Sequence, residues 1–96
     1  MPALDAQTVT QQLAKLPGWT REGDAIAKTF GFKNYYETMA FVNATAWISH
    51  REDHHPDLAV GYNQCKVTYS THSEVGITAK DFECAGKVEG LMRNDE

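Results

Sequence analysis

Apolar residues along this chain switch between helical and strand spacing, and Gly, Pro and polar clusters mark each switch. Val9, Leu13 and Leu16 recur at helical spacing after Asp5, a candidate N-cap, and Pro17-Gly18 stops that run. The stretch "WTREGDAIAKTF" then alternates around a Gly-Asp turn, with Ile26, Lys28 and Phe30 on one side and Ala25, Ala27 and Thr29 on the other, which predicts a hairpin. From Asn34 to about Asp53 there is neither Gly nor Pro. There Tyr35, Met39, Val42, Ala46 and Tyr36, Ala40, Ala44, Trp47 form two helical stripes, widened by Phe41 and Ile48. "DLAVGYNQCKVTYSTH" predicts a second hairpin around Tyr-Asn-Gln. Val67, Tyr69 and Thr71 share one of its faces and Thr68, Ser70 and His72 the other, so that His72 ends a strand. Thr78 and Asp81 open a third helix in a near capping-box arrangement, followed by Phe82, Ala85, Val88 and Leu91 or Met92; Gly86 and Gly90 weaken it without abolishing it.

This order predicts an α+β fold: a four-stranded antiparallel sheet with three helices packed on one face, α-β-β-α-β-β-α, in a single domain spanning 1–96. The second helix is apolar around too much of its circumference to be satisfied by one small sheet. Its outer stripe is therefore expected to meet another copy of the chain. A helix sunk deeply in its own core is the alternative.

An apolar fraction of 42% over 96 residues supports one core of modest thickness. The formal charge of -4, with no polybasic block, gives no field to attract nucleic acid or an anionic membrane. No apolar run approaches the roughly 20 residues that span a bilayer. Cys65 and Cys84 are too few for a disulfide framework, and no secretory leader pattern opens the chain, so reduced thiols in a cytoplasm are expected. The sequon at Asn43 would matter only in a secreted protein and falls within the second helix.

Four histidines are present, and His50, His54 and His55 cluster at the end of the second helix. Imidazole titrates near neutrality, so the cluster suggests proton transfer, although helix C-termini favour His on electrostatic grounds alone. His50 and His54 lie four apart, and "HREDH" has the outline of a zinc-protease helix. Arg51 stands where that motif needs its general base, and no metal is expected. Ser49, Ser70 and Ser73 lack a nucleophile elbow, neither Cys has a signature context, and no glycine-rich phosphate loop exists, so no cofactor is expected either.

What remains is acid/base work by histidines from different elements. Pro56 drives His55 into an extended conformation, so the helix must stop near there. At such a junction the side chains of His54 and His55 can converge on one pocket, which His72 could reach from the neighbouring strand with Asp81 as a partner.

Asp53 to Asp81 resembles the pterin-4a-carbinolamine dehydratases, through His54, His55, Pro56, Tyr62, His72 and Asp81. The likeness extends back through "GWTREGDAIAKTFGFKNYYETMAFVNATAW" over most of the chain. It implies helices on one face of a four-stranded sheet, assembled as homodimers or homotetramers. It also implies a reaction without metal: loss of water from a 4a-hydroxytetrahydropterin to give the quinonoid dihydropterin, recycling the cofactor of an aromatic amino-acid hydroxylase. By that resemblance His54 and His72 form the acid/base pair and His55 positions substrate and stabilises charge. Asp81 orients His72 or the third helix. Trp19 offers a flat wall for a pterin or is a core ring at the sheet edge, and Asp53 accepts a hydrogen bond from pterin or imidazole or is a solvated helix-end charge. Relatives of this kind also serve as dimerisation cofactors of a transcription factor or as assembly chaperones, the alternative to an enzyme. One departure stands out: His50 occupies a position where many members have an acid, which removes a stabiliser of charged histidine.

Overall fold

The computed structural model of the chain describes residues 2–92. Helix α1 (Ala6–Leu13) precedes strands β1 (Thr20–Glu22) and β2 (Ala25–Gly31), helix α2 (Tyr35–Glu52), strands β3 (Asp57–Val60) and β4 (Gln64–Tyr69), and helix α3 (Ala79–Leu91). A 3-10 turn at His72–Glu74 separates β4 from α3. The strands form one antiparallel sheet in the order β1-β2-β4-β3. Element order and sheet are those expected from the periodicity.

Each element begins where side-chain chemistry allows it. Asp5 caps α1 by accepting from Thr8 N–H at 2.8 Å, and Asn34 caps α2 by accepting from Glu37 N–H at 2.9 Å. The first hairpin turns on Gly23-Asp24, with Glu22 opposite Ala25 and Gly23 at φ 62, a glycine-first turn that matches the twist of the flanking strands.

Register places Ile26 opposite Tyr69, Lys28 opposite Val67 and Phe30 opposite Cys65. These alternate residues point to one face, where they meet Val9 of α1, Phe41 and Ile48 of α2, and Phe82, Cys84, Ala85 and Val88 of α3 in a single core. Lys28 reaches out of that face to the carboxylate of Glu89, near the end of α3, and to the Pro17 carbonyl at 3.2 Å. This ties the α1–β1 loop to α3.

Helix α2 corrects the stripe assignment. Its buried residues are Thr38, Phe41, Thr45 and Ile48, so the two stripes read from the sequence flank this face or lie outside it. Two threonines can face a core because their hydroxyls are satisfied: Thr38 donates to the carbonyls of Asn34 (2.9 Å) and Tyr62 (3.0 Å), and Thr45 to that of Phe41 (2.9 Å). The outer face keeps Tyr36 83% and Trp47 66% exposed. The alternative of a helix sunk wholly in its own core does not hold. No helix among the described residues is long and apolar enough to cross a membrane.

Candidate active site

The exit from α2 sets the position of the paired histidines. Asp53 takes the left-handed conformation (φ 50, ψ 42) and its N–H donates to the Ser49 carbonyl, as does that of His54 at 3.2 Å. Asp is among the few residues with a side chain that tolerate this geometry. The helix therefore breaks at Asp53, before Pro56 acts; Pro56 then keeps His55 extended on the way into β3.

The break turns His54 inward. Its side chain is only 15% exposed, and its Nε2 lies 2.6 Å from Oδ1 of Asp81, which is 0% exposed. The second oxygen of that carboxylate accepts from Thr71 Oγ1 at 2.9 Å and from Thr78 N–H at 2.9 Å, completing the capping box of α3. The hydroxyls of Thr71 and Thr78 are 2.8 Å apart. A carboxylate so deeply buried needs such donors to offset its desolvation, and they leave Oδ1 aimed at the imidazole. Asp81 acts in both senses at once: it starts a helix and holds a histidine. The histidine it holds is His54, where the resemblance suggested His72.

His72 is corrected in its backbone. Strand β4 ends at Tyr69, Thr71 makes an isolated bridge with Gly76, and His72 opens the 3-10 turn instead of ending the strand. The turn closes through Val75 N–H to the His72 carbonyl at 3.2 Å, with Val75 at φ 50, a region that β-branched side chains disfavour. Thr71, the residue before His72, bonds the carboxylate that holds His54. His55, His72 and Asp53 are exposed. The cleft of about 450 Å³ between α2 and α3, lined by Arg51, Glu52, Glu83 and Lys87 among others, touches none of the three histidines.

Trp19 lies in the core at 4% exposure, its ring edge-on to Phe30 (centroids 6.0 Å) and its Nε1 donating to Glu89 at 2.9 Å. It sits one ring away from His54, with Tyr69 between them. His50 packs edge-on against Trp47 on the outer face of α2, beside Asn43 and Ala46. Among the described residues, no three His, Cys, Asp or Glu side chains converge as metal ligands. Thr71, Thr78 and Tyr69 were missed at the sequence level. The strand alternation that buries Val67 and Tyr69 leads on to Thr71 on the same face, and it was the signal available for both Tyr69 and Thr71.

A buried carboxylate thus holds one of several histidines at the end of a small α+β sheet. The family model described as pterin 4 alpha carbinolamine dehydratase matches residues 2–91, and the chain belongs to that family. A relative from Nitrosospira multiformis, provisionally named pterin-4-alpha-carbinolamine dehydratase, is 56% identical over 93 residues, covering 97% of this chain and 82% of the relative. One from Bdellovibrio bacteriovorus with the same provisional name is 52% identical over 96 residues, covering 96% and 80%. A crystal structure of a transcriptional coactivator/pterin dehydratase from Brucella melitensis superposes with a TM-score of 0.90 at 32% identity, covering 93% of this chain and 97% of that one. A pterin dehydratase-like RuBisCO assembly factor of the alpha-carboxysome shares the fold at 22% identity, with a TM-score of 0.66 and coverage of 80% and 89%.

Proposed function

We propose that this chain is a hydro-lyase converting a 4a-hydroxytetrahydropterin, such as 4a-hydroxytetrahydrobiopterin, to the quinonoid dihydropterin plus water. The observation that carries this reading is the His54–Asp81 bond, with His55 next in the chain and His72 following Thr71, which bonds the same carboxylate. In the reaction the C4a–O bond breaks and the departing oxygen takes a proton to leave as water. The ring nitrogen next to C4a loses its proton as the new C=N bond forms. One group must donate while another accepts.

His54 suits the acceptor. With Nε2–H donated to the Asp81 carboxylate, Nδ1 carries the lone pair that takes the proton, and the bond through Nε2–H holds the ring before and after the transfer. His72 then supplies the proton to the departing oxygen, and His55 steadies the flat ligand and its transient positive charge. Asp53 offers an acceptor to pterin N–H groups from the left-handed turn. The product re-enters the cycle of an aromatic amino-acid hydroxylase, in a cytoplasm where Cys65 and Cys84 stay reduced, in keeping with two free buried thiols.

The exposed outer stripe of α2 supports self-association into a homodimer or homotetramer. A non-enzymatic role as a dimerisation cofactor or assembly module would use the same stripe. The intact histidine pattern and its buried partner favour the enzyme.

Steady-state dehydration of synthetic 4a-hydroxytetrahydropterin tests the reading. His54→Ala and His72→Ala should each lower the rate by at least about 10²-fold, the low end for removing a general acid or base. Unchanged rates in both variants would refute it.

A further inference from the structure

We infer that Tyr69 is a positioning residue for His54, its ring fixing the plane in which the imidazole presents Nδ1; this rests on the dehydratase reading above. Tyr69 faces inward from β4 and is fully buried. Its ring lies nearly parallel to that of His54, with planes 10° apart and centroids separated by 5.7 Å. On another side it meets Trp19 at 6.3 Å, so it is itself held by the core.

Two contacts together do what neither does alone. The bond from Nε2 to Asp81 fixes one atom of the imidazole but leaves the ring free to swing about the line through Cβ and Nε2. Such a swing would move Nδ1 away from any fixed point above the site. A nearly parallel, offset aromatic ring packed beside the imidazole opposes it, because tilting loses the contact between the adjoining edges of the two rings. The proton-accepting nitrogen is thereby aimed in a single direction, the condition under which proximity contributes most to rate.

The hydroxyl of Tyr69 separates this role from ordinary packing. It makes no bond to His54; the polar group beside it is the Ser49 hydroxyl, which donates to the Thr45 carbonyl at 3.0 Å. Burial, with Cys84 and Asp81 close by, holds the phenol protonated well above its ordinary range. A neutral hydroxyl that makes no bond to His54 does not hold it, so the aromatic face must do so, and phenylalanine should replace it. An aliphatic residue of similar bulk should not.

The test compares Tyr69→Phe and Tyr69→Leu by steady-state kinetics on 4a-hydroxytetrahydropterin and by NMR of the His54 ring. Tyr69→Phe should retain kcat, and Tyr69→Leu should lower it by about 10-fold with KM within about 3-fold, since orientation and not binding is lost. In the unaltered chain and in Tyr69→Phe the His54 ring protons should show upfield ring-current shifts and a single Nε2–H tautomer. In Tyr69→Leu the shift should vanish and the tautomers mix. Equal kcat and an unchanged His54 spectrum in Tyr69→Leu would overturn the inference. If that variant does not fold, absence of the ring-current shift in the unaltered chain would overturn it. Inactivity of the unaltered chain refutes the dehydratase reading instead, so the two failures are distinguishable.

Discussion

The His54 imidazole and the Asp81 carboxylate form a 2.6 Å contact in which the acid is wholly buried and also caps α3. Asp81→Asn separates these duties. The amide oxygen can still accept from Thr78 N–H, but its NH₂ then faces Nε2 and forces the proton onto Nδ1, the nitrogen needed as a base. We expect kcat to fall by about 10²-fold or more, with a small change in melting temperature. Asp81→Ala also removes its half of the capping box, the acceptor for Thr78 N–H, and should cost about 1 kcal/mol or more for leaving that buried donor unpaired. Kinetics and thermal melts of both variants check this; equal activity in Asp81→Asn would remove the carboxylate from the mechanism.

Acid stability should report on a clamp away from the site. Glu52, the last residue of α2, bonds Lys80 at 2.8 Å and Lys87 at 3.3 Å on α3, and these ammonium groups lower its pKa from 4.5 to about 2. A carboxyl depressed in the folded state stabilises it fully above the unfolded value. That contribution is lost as pH falls from about 4.5 toward about 2. Glu52→Gln should flatten the decline of melting temperature in this window and leave its shape above pH 6 unchanged. Added salt should shrink the difference, since the clamp is near solvent. Parallel curves for the two chains across the window would contradict the clamp.

Trp19 allows packing and ligand contact to be told apart. Trp19→Phe keeps a ring against Phe30 and Tyr69 but deletes the donor to Glu89, a loss of about 1 kcal/mol. Trp19→Ala should cost about 3–5 kcal/mol through the cavity it leaves. Urea denaturation measures both. A core role predicts near-normal KM in Trp19→Phe, whereas a stable variant with KM raised tenfold would place the indole against the pterin.

How much of this was legible beforehand depends on which interaction decides each residue. Strand alternation around the Gly-Asp turn put Ile26, Lys28 and Phe30 on one side, and that side is the one that meets the core, because a period of two fixes which residues share a face. The helix-two face was misread because its inner residues include Thr38 and Thr45. Hydrophobicity cannot register hydroxyls that are satisfied by their own helix. The family resemblance named both His54 and Asp81, but not that they pair with each other. Asp81 meets His54 and not His72 because Asp53 turns left-handed and the strand ends at Tyr69, and both are local backbone events settled by tertiary contacts.

The outer face of α2 provides the last expectation. Tyr36 and Trp47 stand 83% and 66% exposed on a helix whose opposite side is buried, and His50 and Ala46 continue the surface. Scattered surface aromatics are ordinary, but a row along a single helix marks an interaction surface. A second copy of the chain satisfies it, since the same stripe can pack on itself about a twofold axis. Charge placed there should then be costly only in the assembly: Tyr36→Glu and Trp47→Glu, alone and combined, should reduce the sedimenting species at micromolar concentration while leaving circular dichroism native. Both positions face solvent in the single chain, so folding should change by no more than about 0.5 kcal/mol. A monomer for the unaltered chain, or an unchanged oligomer in the double variant, would show that α2 does not bring copies together.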